Sequence, residues 1–171
     1  MSKASPQAII LMGVSGCGKT AVGLKLSQTL GWPFFDGDDF HSTENIAKMS
    51  KGIPLNDDDR APWLAKLHDL IADHFLVGKS IILACSALKK KYRDQLEEGN
   101  AGTLFVYLKG DFDLILRRIS NREDHYMKDE MLRSQFDDLE EPADAFIVDI
   151  SKSPEEVVEE IIVYKESMDQ T

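Results

Sequence analysis

Residues 13–20 read Gly13-Val14-Ser15-Gly16-Cys17-Gly18-Lys19-Thr20. This is the G-x-x-x-x-G-K-S/T spacing of a phosphate-binding loop. It follows an apolar run, Ala8-Ile9-Ile10-Leu11-Met12, and precedes helically spaced residues from Ala21 to Leu30. A loop between a strand and a helix lets successive backbone N–H groups converge on a phosphate, and the helix N-terminus adds partial positive charge. Lys19 is placed to reach the outer phosphates and the Thr20 hydroxyl to ligate magnesium. The sequence predicts that the loop binds a nucleoside triphosphate; the question it raises is which group receives the phosphoryl.

Further candidates lie downstream. Asp36 and Asp38, in Phe34-Phe35-Asp36-Gly37-Asp38-Asp39, end an expected strand, the edge at which open parallel sheets bind ligands. If strand alternation persists, the two carboxylates point the same way. One would sit near magnesium and one would orient or deprotonate an acceptor hydroxyl; the alternative is an acidic turn capping the next helix, a role that suits Asp39. Arg60, in Asp57-Asp58-Asp59-Arg60-Ala61-Pro62-Trp63-Leu64, is either a solvated surface group or a guanidinium clamp for an acceptor carboxylate. Trp63 reads as core or pocket wall. Between Arg117 and Arg133 the basic residues form either an exposed helix face or a lid closing over the triphosphate; Arg122 is the candidate for phosphate contact and Arg118 for nucleotide packing. His41 is placed to hydrogen-bond a polyol hydroxyl, whereas His68 and His74 read as structural. Lys89, Lys90, Lys91 and Arg93 form either a solvated face or anion contacts.

The elements that must position these groups follow from apolar patterning. Expected strands are Ala8–Met12, Pro33–Asp36, Ser80–Cys85, Thr103–Leu108 and Ala145–Val148, near-continuous apolar runs buried on both faces. Expected helices cover Lys19–Leu30, Pro62 to Gly78, Ser86 to Glu98 and Phe112 to Asn121. A last helix is announced by Ser153-Pro154-Glu155-Glu156, an N-cap serine with a glutamate three residues on. Alternating strands and helices imply an α/β fold with a parallel sheet of about five strands between two helical layers. Two polar stretches, about 39–60 and about 118–135, fit poorly into the sheet-and-helix core of a single domain spanning 1–171; by similarity to small P-loop kinases they are an acceptor-binding insertion and a lid.

The 171 residues suffice for one core. A net charge of −10 argues against a general nucleic-acid partner, since phosphate neutralisation needs a basic face. Two cysteines fit a reducing compartment, and no apolar run approaches a membrane span. The first residues lack the apolar core of a secretion signal. The expectation is a cytoplasmic enzyme without a membrane partner.

Taken together, the motifs resemble the gluconokinase family of small P-loop kinases, from Ile9 to about Val158. Besides the phosphate loop, the pieces are Asp36-Gly37-Asp38 with His41 and Asn45, Lys48-Met49, Gly52-Ile53-Pro54-Leu55, Asp59-Arg60 with Pro62-Trp63-Leu64, Cys85-Ser86-Ala87-Leu88-Lys89 with Tyr92-Arg93, Arg118 with Arg122 and His125, and Ser134-Gln135-Phe136 with Leu139-Glu140. The chain departs from the family pattern at Ser42, Tyr126 and Glu141, all outside the phosphate loop and the Asp pair. The resemblance implies a P-loop NTPase fold like that of the nucleoside-monophosphate and shikimate kinases, with a mobile lid. It implies ATP-dependent, magnesium-dependent phosphorylation of D-gluconate at its 6-hydroxyl and, as for many members, a homodimer. By motif match, Lys19 and Thr20 serve the triphosphate and magnesium, Asp36 supports the metal, Asp38 orients or deprotonates the hydroxyl, and Arg60 pairs with the gluconate carboxylate.

Overall fold

The structure, a computed structural model, describes residues 4–120 and 125–171, with side chains from 125 to 128 excepted. Five strands form one parallel sheet: β1 (Ala8–Met12), β2 (Phe34–Asp36), β3 (Ile81–Ala84), β4 (Thr103–Lys109) and β5 (Phe146–Asp149). Their order is β2-β3-β1-β4-β5. β1 is central, with Ala8 beside Ile81 of β3 and Thr103 of β4. Strand alternation sends Ile9 and Leu11 into one core layer and Ala8, Ile10 and Met12 into the other. The first layer is completed by α1 (Lys19–Leu30), α5 (Phe112–Ser120) and α7 (Pro154–Asp169), the second by α3 (Asp57–Leu76) and α4 (Lys90–Glu97). Burial on both faces explains why these strands read as unbroken apolar runs.

The strands match expectation to within a residue or two, and the predicted cap of α7 is present as a reciprocal pair between Ser153 and Glu156. Two helices differ in ways that matter for the site. α3 begins at Asp57, five residues before Pro62. Asn56 and Asp59 form a capping box, and Asp57, Asp58 and Asp59 oppose the positive end of the helix dipole. These local signals outweigh the proline, and Arg60 consequently stands on the first turn of a helix instead of in a loop. α4 begins at Lys90, four residues later than expected, because Ala87 takes a left-handed conformation with φ of 45°. A non-glycine residue there costs about 1–2 kcal/mol, and the Ser86–Lys89 segment stays outside the helix. The polar 39–60 stretch holds a 3-10 turn (Gly37–Phe40) entering it and α2 (Thr43–Ser50). α2 is capped by Ser42, whose hydroxyl accepts from Asn45 N. α6 (His125–Asp138) follows in the lid region.

Candidate functional site

The phosphate loop sits at the carboxyl end of the central strand, where a parallel sheet leaves a crevice. Gly16 has φ of 81°, and a Cβ there would lie 2.4 Å from Ile119 Cγ2 of α5. Only glycine lets the loop pass beneath that helix. Val14 and Cys17 are buried behind the loop, and Gly13 N donates to the Ser86 carbonyl. Lys19 folds back over the loop, donating from Nζ to the carbonyls of Gly13 and Val14, each at 2.9 Å. Gln135, on α6, pairs with Ser15 twice: Ser15 N donates to Oε1 at 2.6 Å and Nε2 donates to the Ser15 hydroxyl at 2.8 Å.

One cavity of about 490 Å³ opens over this loop. Its walls include Ser15, Gly16, Gly18, Lys19 and Thr20 from the loop, Asp36, Asp38 and His41 from the end of β2, Arg60 and Trp63 from α3, and Arg118 and Ile119 from α5. Met49, Ile53, Pro54 and Leu55 of the 39–60 stretch and Met131, Ser134 and Gln135 of α6 also line it. The expected acceptor insertion and part of the expected lid therefore border the same space as the phosphate loop.

The two aspartates reach the cavity by a different route from the one expected. The strand ends at Asp36, and Gly37 starts the 3-10 turn because a Cβ there would lie 2.6 Å from the Ala84 carbonyl oxygen. Asp36 caps that turn: Oδ1 accepts from Asp38 N at 3.0 Å, and Oδ2 accepts from the Thr20 hydroxyl at 3.4 Å. The alternative weighed for Asp39, a cap on the next helix, falls to Ser42, while Asp36 caps the turn. Asp38 is accessible from the cavity, yet its pKa is raised, first by desolvation within the cleft walls and next by the Asp36 charge, with Lys19 pulling the other way. Thr20 and Asp36 offer adjacent hard oxygen donors of the kind magnesium takes alongside phosphate oxygens and water. Among the described residues no group of three or more His, Cys, Asp or Glu forms a metal cage.

His41 lies beneath this pair, its ring stacked on Trp63 at 4.2 Å, and the Trp63 indole donates to the Gly37 carbonyl at 2.7 Å. Asn45 Nδ2 donates both to the Asp59 carbonyl and to His41 Nδ1. The proton of the neutral ring is then on Nε2, 3.8 Å from Asp38 Oδ1. Burial, with Arg60 second, pushes the His41 pKa down to about 4. In the unfolded chain it returns to about 6.5, so the unfolded state binds more protons between those values. The stability from a neutral His41 is complete above pH 6.5 and is lost as pH falls toward 4, by roughly 3 kcal/mol. Urea unfolding at pH 7 and pH 4.5 is expected to show a smaller loss for His41→Gln than for the parent; equal losses would mean that His41 ionises freely in the native state.

Arg60 is held on two sides. Nη1 donates to the Tyr92 hydroxyl at 2.9 Å, and Nη2 lies 3.4 Å from Asp138 Oδ2. The Tyr92 hydroxyl donates in turn to Asp57, which also pairs with Lys89 and Lys91. These partners hold the Asp57 carboxyl well below the usual range, Lys91 first and Tyr92 second. Lys89, a candidate acceptor contact, is committed to Asp57 and does not line the cavity. Arg93, the other such candidate, is turned away: it is 6% exposed and donates to the carbonyls of Ala87, Leu88 and Glu140. It braces the strained Ala87 segment, so the reading of Arg93 as an anion contact gives way to a structural one. Arg118 does line the cavity, and its Nη2 donates to the Ile150 carbonyl. Arg122 and the side chain of His125 lie outside the described residues. Sequence reasoning missed the ties from Tyr92 and Asp138 to Arg60. The run Asp137-Asp138 at the end of α6 was a signal, since carboxylates there oppose the helix dipole.

This geometry agrees with what the chain is similar to. The family model described as shikimate kinase matches residues 15–165. A thermoresistant gluconokinase of Escherichia coli (strain K12) is 48% identical, the alignment covering 87% of each chain. A probable gluconokinase of Mus musculus is 44% identical over 90% of this chain and 94% of its own. The crystal structure of a gluconokinase from Sinorhizobium meliloti 1021 superposes with a TM-score of 0.88 at 38% identity, covering 97% of this chain and 95% of that one. A phosphate loop, a carboxylate pair and a helix-borne arginine around one cavity, in a chain this similar to gluconokinases over nearly its whole length, make it a member of the gluconokinase family, within the wider family of the shikimate kinases.

Proposed function

We propose that the chain transfers the γ-phosphoryl group of ATP to the 6-hydroxyl of D-gluconate, giving 6-phospho-D-gluconate and ADP. The observation that carries this reading is the single cavity shared by the phosphate loop, Asp38 and Arg60. Asp38 takes the hydroxyl proton as the oxygen attacks the γ-phosphorus and the bond to the ADP oxygen breaks. The loop amides and Lys19 neutralise the triphosphate, with Arg118 and Arg122 assigned to nucleotide contact. His41 Nε2–H is a donor for an acceptor hydroxyl, and Arg60 receives the carboxylate. Thr20 and Asp36 would hold magnesium, which supplies further charge neutralisation when bound. In such a transfer the protein contributes mainly position and electrostatics.

The reading extends to a homodimer in the cytoplasm. The first is carried by family resemblance. The second is carried by two free, buried cysteines and by the absence, among the described residues, of a helix long and apolar enough to cross a membrane.

A coupled ADP-release assay tests the reaction, with ATP and magnesium against gluconate, shikimate, related sugar acids and no acceptor. Turnover confined to gluconate is expected. ATP binding without stimulation by any acceptor would overturn the assignment, and preference for shikimate would move it to the neighbouring activity.

A further inference from the structure

Arg60 lines the cavity, whereas the two groups that hold it, Tyr92 and Asp138, do not. The Arg60 side chain is 13% exposed, and its guanidinium carries five N–H donors in a planar fork. Tyr92 takes Nη1 and Asp138 sits against Nη2, from α4 and from the last residue of α6. The fork is thereby fixed from outside the cavity, leaving donors for a ligand inside it. The Tyr92 hydroxyl is itself oriented, because it donates to Asp57 while accepting from Arg60. Asp138 gains nothing from its own helix, where a carboxylate at the C-terminus faces the negative end of the dipole. Its position is accounted for by the arginine it meets.

We propose that Tyr92 and Asp138 are positioning residues that aim Arg60 at the acceptor's carboxylate. The inference rests on the reading of Arg60 as the carboxylate receptor. A bidentate pair rewards a fixed fork. A guanidinium released on one side samples other rotamers and loses part of that geometry. α6 also carries Gln135, one turn earlier, on Ser15 of the phosphate loop. The same helix thus touches the receptor of one substrate and the cradle of the other.

Steady-state kinetics of Tyr92→Phe, Asp138→Asn, Arg60→Ala and the two double variants with Arg60→Ala test this. Both single replacements keep shape and volume. Each is expected to raise the KM for gluconate by about three- to tenfold, with kcat and the KM for ATP unmoved, and to add nothing in the Arg60→Ala background. Three outcomes would overturn the proposal while leaving the receptor in place: a raised gluconate KM for Arg60→Ala with none for the other two, an effect that persists without Arg60, or a fall in gluconate KM for Asp138→Asn, which would make Asp138 a competitor of the acceptor. An unchanged gluconate KM for Arg60→Ala would remove the receptor itself and overturn both readings.

Discussion

Asp38→Asn is expected to lower kcat by about 10²–10⁴-fold, the usual contribution of a positioned proton acceptor, while ATP affinity stays close to that of the parent. The choice between the two cavity aspartates comes from their partners. Asp36 already accepts from Asp38 N and from the Thr20 hydroxyl, which makes it a turn cap and leaves it less free to act on an acceptor. Asp38 keeps its oxygens free toward the cavity, and the cleft and the Asp36 charge both favour its protonated form. A base must be ionised to work, so activity is lost as pH falls through the Asp38 pKa. The acid limb of the kcat/KM profile is therefore expected above the ordinary aspartate value of about 3.9 and absent from the residual activity of Asp38→Asn. Equal losses of turnover and ATP binding would instead assign Asp38 to the metal.

Arg60→Ala is expected to raise the KM for gluconate by about 1.5–3 kcal/mol of lost charge-assisted hydrogen bonding, roughly ten- to a hundredfold, with little change in the KM for ATP. The chain carries a net charge of −10, so an anionic acceptor needs a local cation. Lys89 is paired with Asp57 and Arg93 with backbone carbonyls. Arg60, held by Tyr92 and Asp138, is open to the cavity that the Asp pair also lines and has donors to spare. Arg60→Lys is expected to recover only part of the loss, because an ammonium lacks the planar fork. An unchanged gluconate KM would show that Arg60 is not the carboxylate's partner.

The phosphate loop was legible in the sequence because its chemistry is local: glycines, a lysine and a threonine act through a backbone fixed by their own spacing. The strands were legible for a similar reason, since burial on both faces leaves an unbroken apolar run. The start of α3 was not, because Pro62 is a conspicuous signal while the Asn56–Asp59 capping box is a quiet one. The sequence left Arg93 between a solvated face and an anion contact, because an arginine on the helix after a strand looks alike whether it serves a ligand, water or a backbone carbonyl. The last depends on the left-handed Ala87, which no residue type announces. The ties of Arg60 to Tyr92, 32 residues on, and to Asp138, 78 residues on, are tertiary and left little trace in local pattern.

The strand order also governs how the molecule comes into being. β1 is made early, yet its two hydrogen-bonding neighbours are β3 and β4, so Ala8 waits for Ile81 on one side and Thr103 on the other. The phosphate loop likewise depends on residues made well after it: Gly13 N donates to the Ser86 carbonyl, and Gly16 fits beneath Ile119. Pairings this distant in sequence close slowly, and synthesis supplies the chain from its N-terminus. A nascent chain that has emerged only through β3 carries every residue of the phosphate loop and no formed cradle. Nucleotide is expected to stabilise the growing protein only once Ser86 and Ile119 have left the ribosome and packed against the loop.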